Sequence, residues 1–472
     1  MKNAKILLRF IRLLLLLVLV SAVAFAGAWV FYALQKDAYV ETYYAELPAK
    51  VDRLKDTKGA RVIVIGGSSA AFGIDSKLIE RELGMPCVNF GLYAAFGLKP
   101  MLDLSLKHIH SGDIVVIAPE ISAQMYSTYC GYDYLLQAFE GEPLRLVTLP
   151  LSYQTGLINK IPAYAKEAAS LRQSGTASAG VYSLSSFDAY GDIIYPRPEN
   201  VMEMGYSRDN LPEIDVSIVT DDFLSMINDY ARSVRKKGAS VYFAFCPVNA
   251  LSVKDVDAAE KQAFTDALKN GLDCPLLSPL EDHILDAGFF YDSNFHLNDT
   301  GVTYNSLLLV GDIQRVTGRM QKTSVSLPHA PALNVEYAVL LSGEENGFIY
   351  DLTNRGSVVT GLSEAVKAQS ALTLPASLGG ADVISVDAGA FEGSAAVQIT
   401  LPETVTRLPG RLFEGALSLK TVYILSNDLP EVGDELLAGA GNIMLRVPKE
   451  LLGTYVTDYF WGAYSANLAA IE

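Results

Sequence analysis

The sequence predicts an α/β protein with a parallel sheet, carried on a single N-terminal membrane helix and followed by a smaller repetitive domain. Three observations predict it. An uncharged apolar run spans Leu13 to Leu34; short apolar strands alternate with amphipathic helices between about Lys58 and Gly318; and an Ala-Phe-Glu-Gly piece at Ala390–Gly393 is echoed at Leu412–Gly415. Alternation of the second kind implies parallel strands covered by helices on both faces.

The apolar run comes first in the chain. At about 1.5 Å per residue it is long enough for a bilayer core of about 30 Å. Lys2, Lys5, Arg9 and Arg12 precede it and a balanced Lys36-Asp37 follows, so the charge bias places residues 1–12 in the cytoplasm and the rest of the chain outside the cell membrane. Ala24-Phe25-Ala26 offers a signal-peptidase site, but apolar residues continue through Trp29 and Tyr32 to Leu34, which favours a retained signal-anchor. Trp29 and Tyr32 fit the outer interface, and residues 35–57 read as a stalk.

The formal net charge of −16 argues against nucleic acid as a partner, since phosphate binding relies on Lys and Arg. Cys87, Cys130, Cys246 and Cys274 are too few and too scattered for a disulfide framework, and none forms a CxxC pair. No metal or organic cofactor is indicated.

Between residues 58 and 318 the strands are expected at Val62–Ile65, Cys87–Phe90, Ile114–Ala118, Val241–Phe245 and, more weakly, Pro275–Ser278. Helices are expected at Ser76–Leu83, Lys99–His110, Asp222–Lys237, Val256–Asn270 and Thr300–Thr317. The helix at Asp222 is the clearest, with Phe223, Ile227, Tyr230 and Val234 on one face, Lys236-Lys237 in its last turn and Gly238 to stop it. The stretch from Ser122 to Pro212 breaks the alternation. Its many tyrosines, Tyr126, Tyr129, Tyr182 and Tyr195 among them, either stack on sugar rings at the sheet's active edge or simply pack the insertion.

The first strand stops at Gly66-Gly67-Ser68-Ser69, which sets two serines at a strand's carboxyl end, where ligands bind in open α/β folds. A serine hydroxyl needs a base, and the base an orienting acid. Of the five histidines, His108 and His110 splay to different faces, His283 reads as solvated, and His329 lies in a Pro-containing linker. His296 follows the last strand, and Asp292 four residues earlier can fold back onto its Nδ1, leaving Nε2 for a serine.

Gly67-Ser68-Ser69, the glycine turn Asn89-Phe90-Gly91, and Asp292 with His296 resemble the first, second and last sequence blocks of the SGNH/GDSL hydrolase superfamily. The resemblance covers residues 58–318 and implies a flavodoxin-like parallel sheet. It implies Ser69 as nucleophile, with Ser68 the runner-up if the register slips by one. His296 would be the general base, Asp292 its orienter, and the backbone N–H groups of Ser69 and Gly91 the oxyanion hole. Three departures stand out. Ser68 replaces the family's Asp, the Asp-to-His spacing is four, and Ala118-Pro119-Glu120 replaces a block that usually supplies an Asn donor, whereas a carboxylate donates only when protonated. Comparable looseness marks members that acylate cell-surface polymers, the D-alanine-transfer and alginate-acetylation types.

Residues 319–333, with Ser324, Pro328 and Pro331, read as a linker, and residues 334–472 as a repeat domain. Gly393, Gly415 and Gly439 recur at intervals of 22 and 24 residues, in the range of leucine-rich repeats. The pattern, with Val447-Pro448-Lys449 and the ending Tyr455, Tyr459, Trp461, Tyr464, resembles the BspA-type repeats of bacterial surface proteins. Residues 334–372 are expected to cap one end of two or three units and the aromatic tail the other.

The combined expectation is an extracytoplasmic serine-dependent esterase or O-acyltransferase acting on a cell-envelope polysaccharide or glycopolymer, with a membrane acyl-donor protein as a further partner. Its alternative is a surface binding or scaffold protein whose hydrolase fold has lost its chemistry.

Overall fold

The computed structural model describes residues 2–35, 38–174, 180–318, 326–333, 339–433, 435–440, 442–458 and 460–471, with side chains from residue 9 onward except 173–174. Lys36-Asp37, Ser324, Asn334 and Tyr459, and the side chains of Lys2 and Lys5, lie outside the described residues. The chain forms two units, residues 1–200 with 211–333, and residues 201–210 with 334–472.

The first unit is built on four parallel strands, β1 (Val62–Gly66), β2 (Cys87–Gly91), β3 (Ile114–Ile117) and β4 (Ser240–Phe243), in the order β2-β1-β3-β4. Leu276 adds a single parallel bridge to Phe243, so the weak fifth strand is reduced to one contact beside β4. Alternate residues of β1 enter different cores. Ile63 and Ile65 pack with Val88, Val115 and Phe243, while Val62 and Val64 pack with Ile79, Leu309 and Ile313 on the other face. Burial on both faces is why these strands read as unbroken β-branched runs. At the sheet's amino end, fully buried Arg61 meets Asp113 at 2.6 Å and also donates to the carbonyl of His108.

The expected helices appear at Ser76–Leu83, Leu98–Leu106, Asp221–Lys236, Ala258–Gly271 and Asp299–Thr317. Asp75 caps the first through the Leu78 N–H, and Gly84 ends it at φ 66°, where a Cβ would be strained. The region 122–212 is a helical and looped insertion with helices Tyr132–Ala138, Pro143–Val147 and Leu151–Ser174.

Residues 35–57 are not a stalk. Tyr39, Tyr43, Leu47, Val51 and Leu54 are buried in the core, and the helix Leu47–Asp56 packs on β2. The apolar helix Lys2–Ala33 likewise ends inside this unit, with Trp29 and Tyr32 buried and the Tyr32 hydroxyl donating to the Leu136 carbonyl at 2.6 Å. Its Arg9–Ala33 portion is long and apolar enough to cross a membrane.

The second unit starts with an antiparallel meander, Val339–Glu345, Phe348–Thr353 and Ser357–Leu362. Its first turn is Asn346-Gly347, both at positive φ, the pair a tight hairpin favours. Parallel strands then stack in register, with Leu372, Ile399, Val422, Leu445 and Leu468 as successive partners. Five strands stack where two or three units were legible. Gly393, Gly415 and Gly439 all sit near φ 70°, and Phe391 stacks on Phe413 at 5.9 Å, so the repeated Phe-Glu-Gly is one buried ring plus one left-handed turn. The end is closed by buried Tyr455 and Trp461, the latter donating to the Pro430 carbonyl at 2.7 Å.

Candidate active site

β1 delivers the chain to Gly66 and Gly67, and a short helix, Ser68–Ala71, begins at once. Both glycines are required by close approach. A Cβ on Gly66 would lie 2.4 Å from the Ala118 carbonyl oxygen, and one on Gly67 2.3 Å from Glu120 Oε2. Because β3 pairs beside β1, the chain leaving β3 through Ala118-Pro119 carries Glu120 directly over this turn.

His296 arrives from the other side. Phe290–Ser293 and His296–Leu297 form a small antiparallel hairpin. Asn298 clamps it by donating to the carbonyls of Gly288 and Phe290, while its own side-chain oxygen caps the helix Asp299–Thr317 through the Gly301 N–H. The hairpin places Asp292 Oδ1 2.8 Å from His296 Nδ1, and His296 Nε2 2.8 Å from the hydroxyl of Ser68.

The structure therefore brings together Ser68, His296 and Asp292. Ser69 does not take part through its side chain. The first helical turn rotates successive residues by about 100°; Ser69 lines a cavity with Val64, Ala118 and Asn305, and its Oγ is buried with no hydrogen-bond partner among the described residues. The contact with His296 falls to Ser68, the runner-up of the sequence expectation, and not to Ser69.

The expected oxyanion hole is also altered. The Ser69 N–H is buried and donates to Glu120 Oε1 at 2.7 Å. The Gly91 N–H is spent on the Asn89 side chain at 3.1 Å. Glu120 Oε1 further accepts the Ser68 hydroxyl at 3.0 Å, and Oε2 is buried with no hydrogen-bond partner among the described residues. One carboxylate oxygen thus takes both the Ser69 N–H and the Ser68 hydroxyl.

Three neighbours were not legible in the sequence. Phe72 stacks on His296 with rings 3.9 Å apart and nearly parallel. The Tyr182 hydroxyl donates to Asp292 Oδ2 at 2.7 Å. Burial alone would raise the Asp292 pKa, but hydrogen bonds from His296 and Tyr182 and the attraction of His296 outweigh it and hold it below the usual carboxylate value. Tyr182 is in turn held well above the ordinary phenol range by burial and by Asp292, so it stays a donor. Arg197, 2% exposed, sits with its guanidinium carbon 5.2 Å from the Phe72 ring, and its Nε and Nη1 have no hydrogen-bond partner among the described residues. The only prior signal for Tyr182 was its place in the tyrosine-rich insertion; Phe72 and Arg197 carried none.

The remaining histidines lie elsewhere. His283, expected to be solvated, is buried, hydrogen-bonded to Ser278 at 2.7 Å, and lowered by desolvation to a pKa of about 4. The tyrosines of the insertion divide: Tyr126, Tyr153 and Tyr164 are core residues, whereas Tyr129, Tyr182 and Tyr195 are partly covered and keep 39%, 44% and 38% of their surface exposed.

No protein-family model matches the sequence, and no curated protein matches it. Among solved structures, Bacillus subtilis protein YxiM is similar over 56% of this chain and 58% of its own, at 12% identity and a TM-score of 0.28. This chain thus spans little more than half the length of that structure, and the likeness is too low to carry an argument.

Proposed function

We propose that the protein is a membrane-anchored, SGNH-like serine acyl hydrolase or O-acyltransferase, facing outward and acting on a cell-envelope glycopolymer, with a short leucine-rich repeat unit as its binding surface. The observation that carries this reading is the Ser68–His296–Asp292 chain: two contacts of 2.8 Å, the local Asp292–His296 pair and the His296–Ser68 contact that joins elements more than 220 residues apart. Ser68 gives its proton to His296 Nε2 as Oγ attacks the ester carbonyl. When the tetrahedral intermediate collapses, His296 returns that proton to the departing alcohol and leaves an acyl-Ser68. Water or a sugar hydroxyl then gives its proton to His296 as it attacks the acyl carbon, and His296 passes that proton to the departing Ser68 Oγ, which restores the serine. Asp292 holds the imidazole tautomer and Tyr182 holds Asp292. In this cycle the substrate oxygen displaces Glu120 Oε1 from the Ser69 N–H.

The formal net charge of −16, the apolar helix and the stacked parallel strands with their 22- and 24-residue glycine intervals support the surface assignment. The test is hydrolysis of an aryl acetate by the purified full-length protein. Ser68→Ala is expected to lower turnover by about a thousandfold or more, and Ser69→Ala to retain it; equal turnover by Ser68→Ala and parent overturns the assignment.

One observation favours a second reading. Glu120 fills the oxyanion position and Gly91 is committed to Asn89, the state expected of a scaffold whose chemistry is closed. A parent protein that turns over no acyl ester, yet binds glycopolymer undiminished as Ser68→Ala, supports that reading.

A further inference from the structure

We infer that the first unit is seated directly in the lipid headgroup layer, with Leu144 and Leu151 of the insertion entering the bilayer beside the membrane helix. The uncharged part of the helix is exposed from Leu13 through Gly27, 15 residues, or about 22 Å at the helical rise, so a hydrocarbon core of about 30 Å reaches past Gly27 to the turns that meet the fold. From Ala28 the helix enters the fold, so the bilayer surface falls where the folded unit begins and no spacer separates them.

The docked end of the helix has two unlike faces. Trp29 and Tyr32 are buried against the protein, Tyr32 packing on Tyr164 at 5.3 Å. Val30, Phe31 and Leu34 remain exposed at 60%, 47% and 71%. These three fall on one face at helical spacing, an apolar stripe that lipid covers. The helices Pro143–Val147 and Leu151–Ser174 pack against this same membrane helix. Leu144 and Leu151 begin or lie within them and are 76% and 83% exposed, the most exposed large apolar side chains of the first unit. An exposed leucine alone is ordinary. Two of them on helices that flank the exit of a membrane span form an interfacial apolar foot, the arrangement that lies in the headgroup and acyl boundary.

The occupant inferred is therefore lipid. The same geometry sets the Ser68 site near the membrane: Tyr43, ten residues past the helix end, is at most about 36 Å of extended chain away from it, and its ring packs on Phe72 and Tyr182. The inference about lipid does not depend on catalysis.

The test uses the full-length protein in vesicles of phosphatidylethanolamine and phosphatidylglycerol. Spin labels are placed at Leu144→Cys and Leu151→Cys in a Cys130→Ser background, since Cys87, Cys246 and Cys274 are buried. Lys236→Cys, an exposed site on a helix that packs on β4, serves as the aqueous reference. Labels at 144 and 151 are expected to collide several-fold more with oxygen than with a water-soluble nickel chelate, and the label at 236 to show the reverse. Nickel-accessible labels at both 144 and 151, in protein with the parental melting transition, overturn the inference, because pure lipid vesicles then leave those leucines in water.

Discussion

Ser68 and Ser69 differ by one step along a helical turn, and that step separates a side chain facing His296 from one facing the core. Sequence pattern locates the strand, the glycine turn and the helix after it; the phase of the first turn is set by Glu120 and Ala118 pressing on Gly67 and Gly66, which are more than 50 residues away in sequence. The Asp292–His296 pair was legible because a short turn fixes its geometry locally. Glu120 was legible as an oddity, but its hydrogen bonds were not. Replacing it tests its role: Glu120→Gln keeps an acceptor for the Ser69 N–H and adds an amide donor, and one such donor is worth about 100- to 1,000-fold in turnover. A rise of at least about tenfold in aryl acetate hydrolysis is expected, and a fall contradicts the reading of Glu120 as an occupant of the oxyanion position. His283 gives a pH test. The unfolded chain binds its proton below a pKa of about 6.5, the folded protein only below about 4. Stability from this residue is therefore complete above pH 6.5 and lost as pH falls, by about 3 kcal/mol at pH 4. Glu46 and Asp192, raised by burial to about 7 and about 6, run the opposite way. The effect is thus read as the difference between parent and His283→Gln in thermal or denaturant melts at pH 4.5 and 7, and a difference independent of pH contradicts it.

Elements were recovered where periodicity is strong. The helices at Ser76 and Asp221 follow the expected spans within one residue because charge, capping and a terminal glycine agree with the apolar face. The insertion was legible only as an exception, since its fold depends on contacts such as Tyr32 to Leu136 and Tyr164 to Glu140 that no local pattern announces. Residues 35–57 were misread for the same reason: their tyrosines and leucines find partners on β2 and on the insertion. Two substitutions probe how the elements hold the site. Asp113→Ala leaves Arg61 buried and uncompensated between β1 and β3, and a loss of about 3–5 kcal/mol is expected in denaturant melts. Gly91→Ala puts a Cβ 2.4 Å from that of Ala70, forcing the serine turn away from β2. A destabilisation of about 1–3 kcal/mol together with slower acylation of Ser68 is expected; unchanged melting and acylation would show that the turn has room the structure denies it.

At the scale of the whole molecule, the order of its parts was legible from three signals of different period: an apolar run, alternating strands and helices, and a recurring glycine. More parallel strands stack than the recurring glycines announced, because only two returns share Phe-Glu-Gly, while the strands need only an apolar residue every second position. Trp29 and Tyr32 read as interfacial anchors, yet they are buried contacts that tie the apolar N-terminal helix to the fold. The central claim is that this fold holds an activated serine. Mass-spectrometric mapping of a serine-directed fluorophosphonate on the full-length protein tests it most directly, with parent, Ser68→Ala, Ser69→Ala and His296→Ala compared at equal folding. Adduct on Ser68 that persists in Ser69→Ala and disappears in His296→Ala is expected. Adduct on Ser69, or none on folded parent protein, contradicts it.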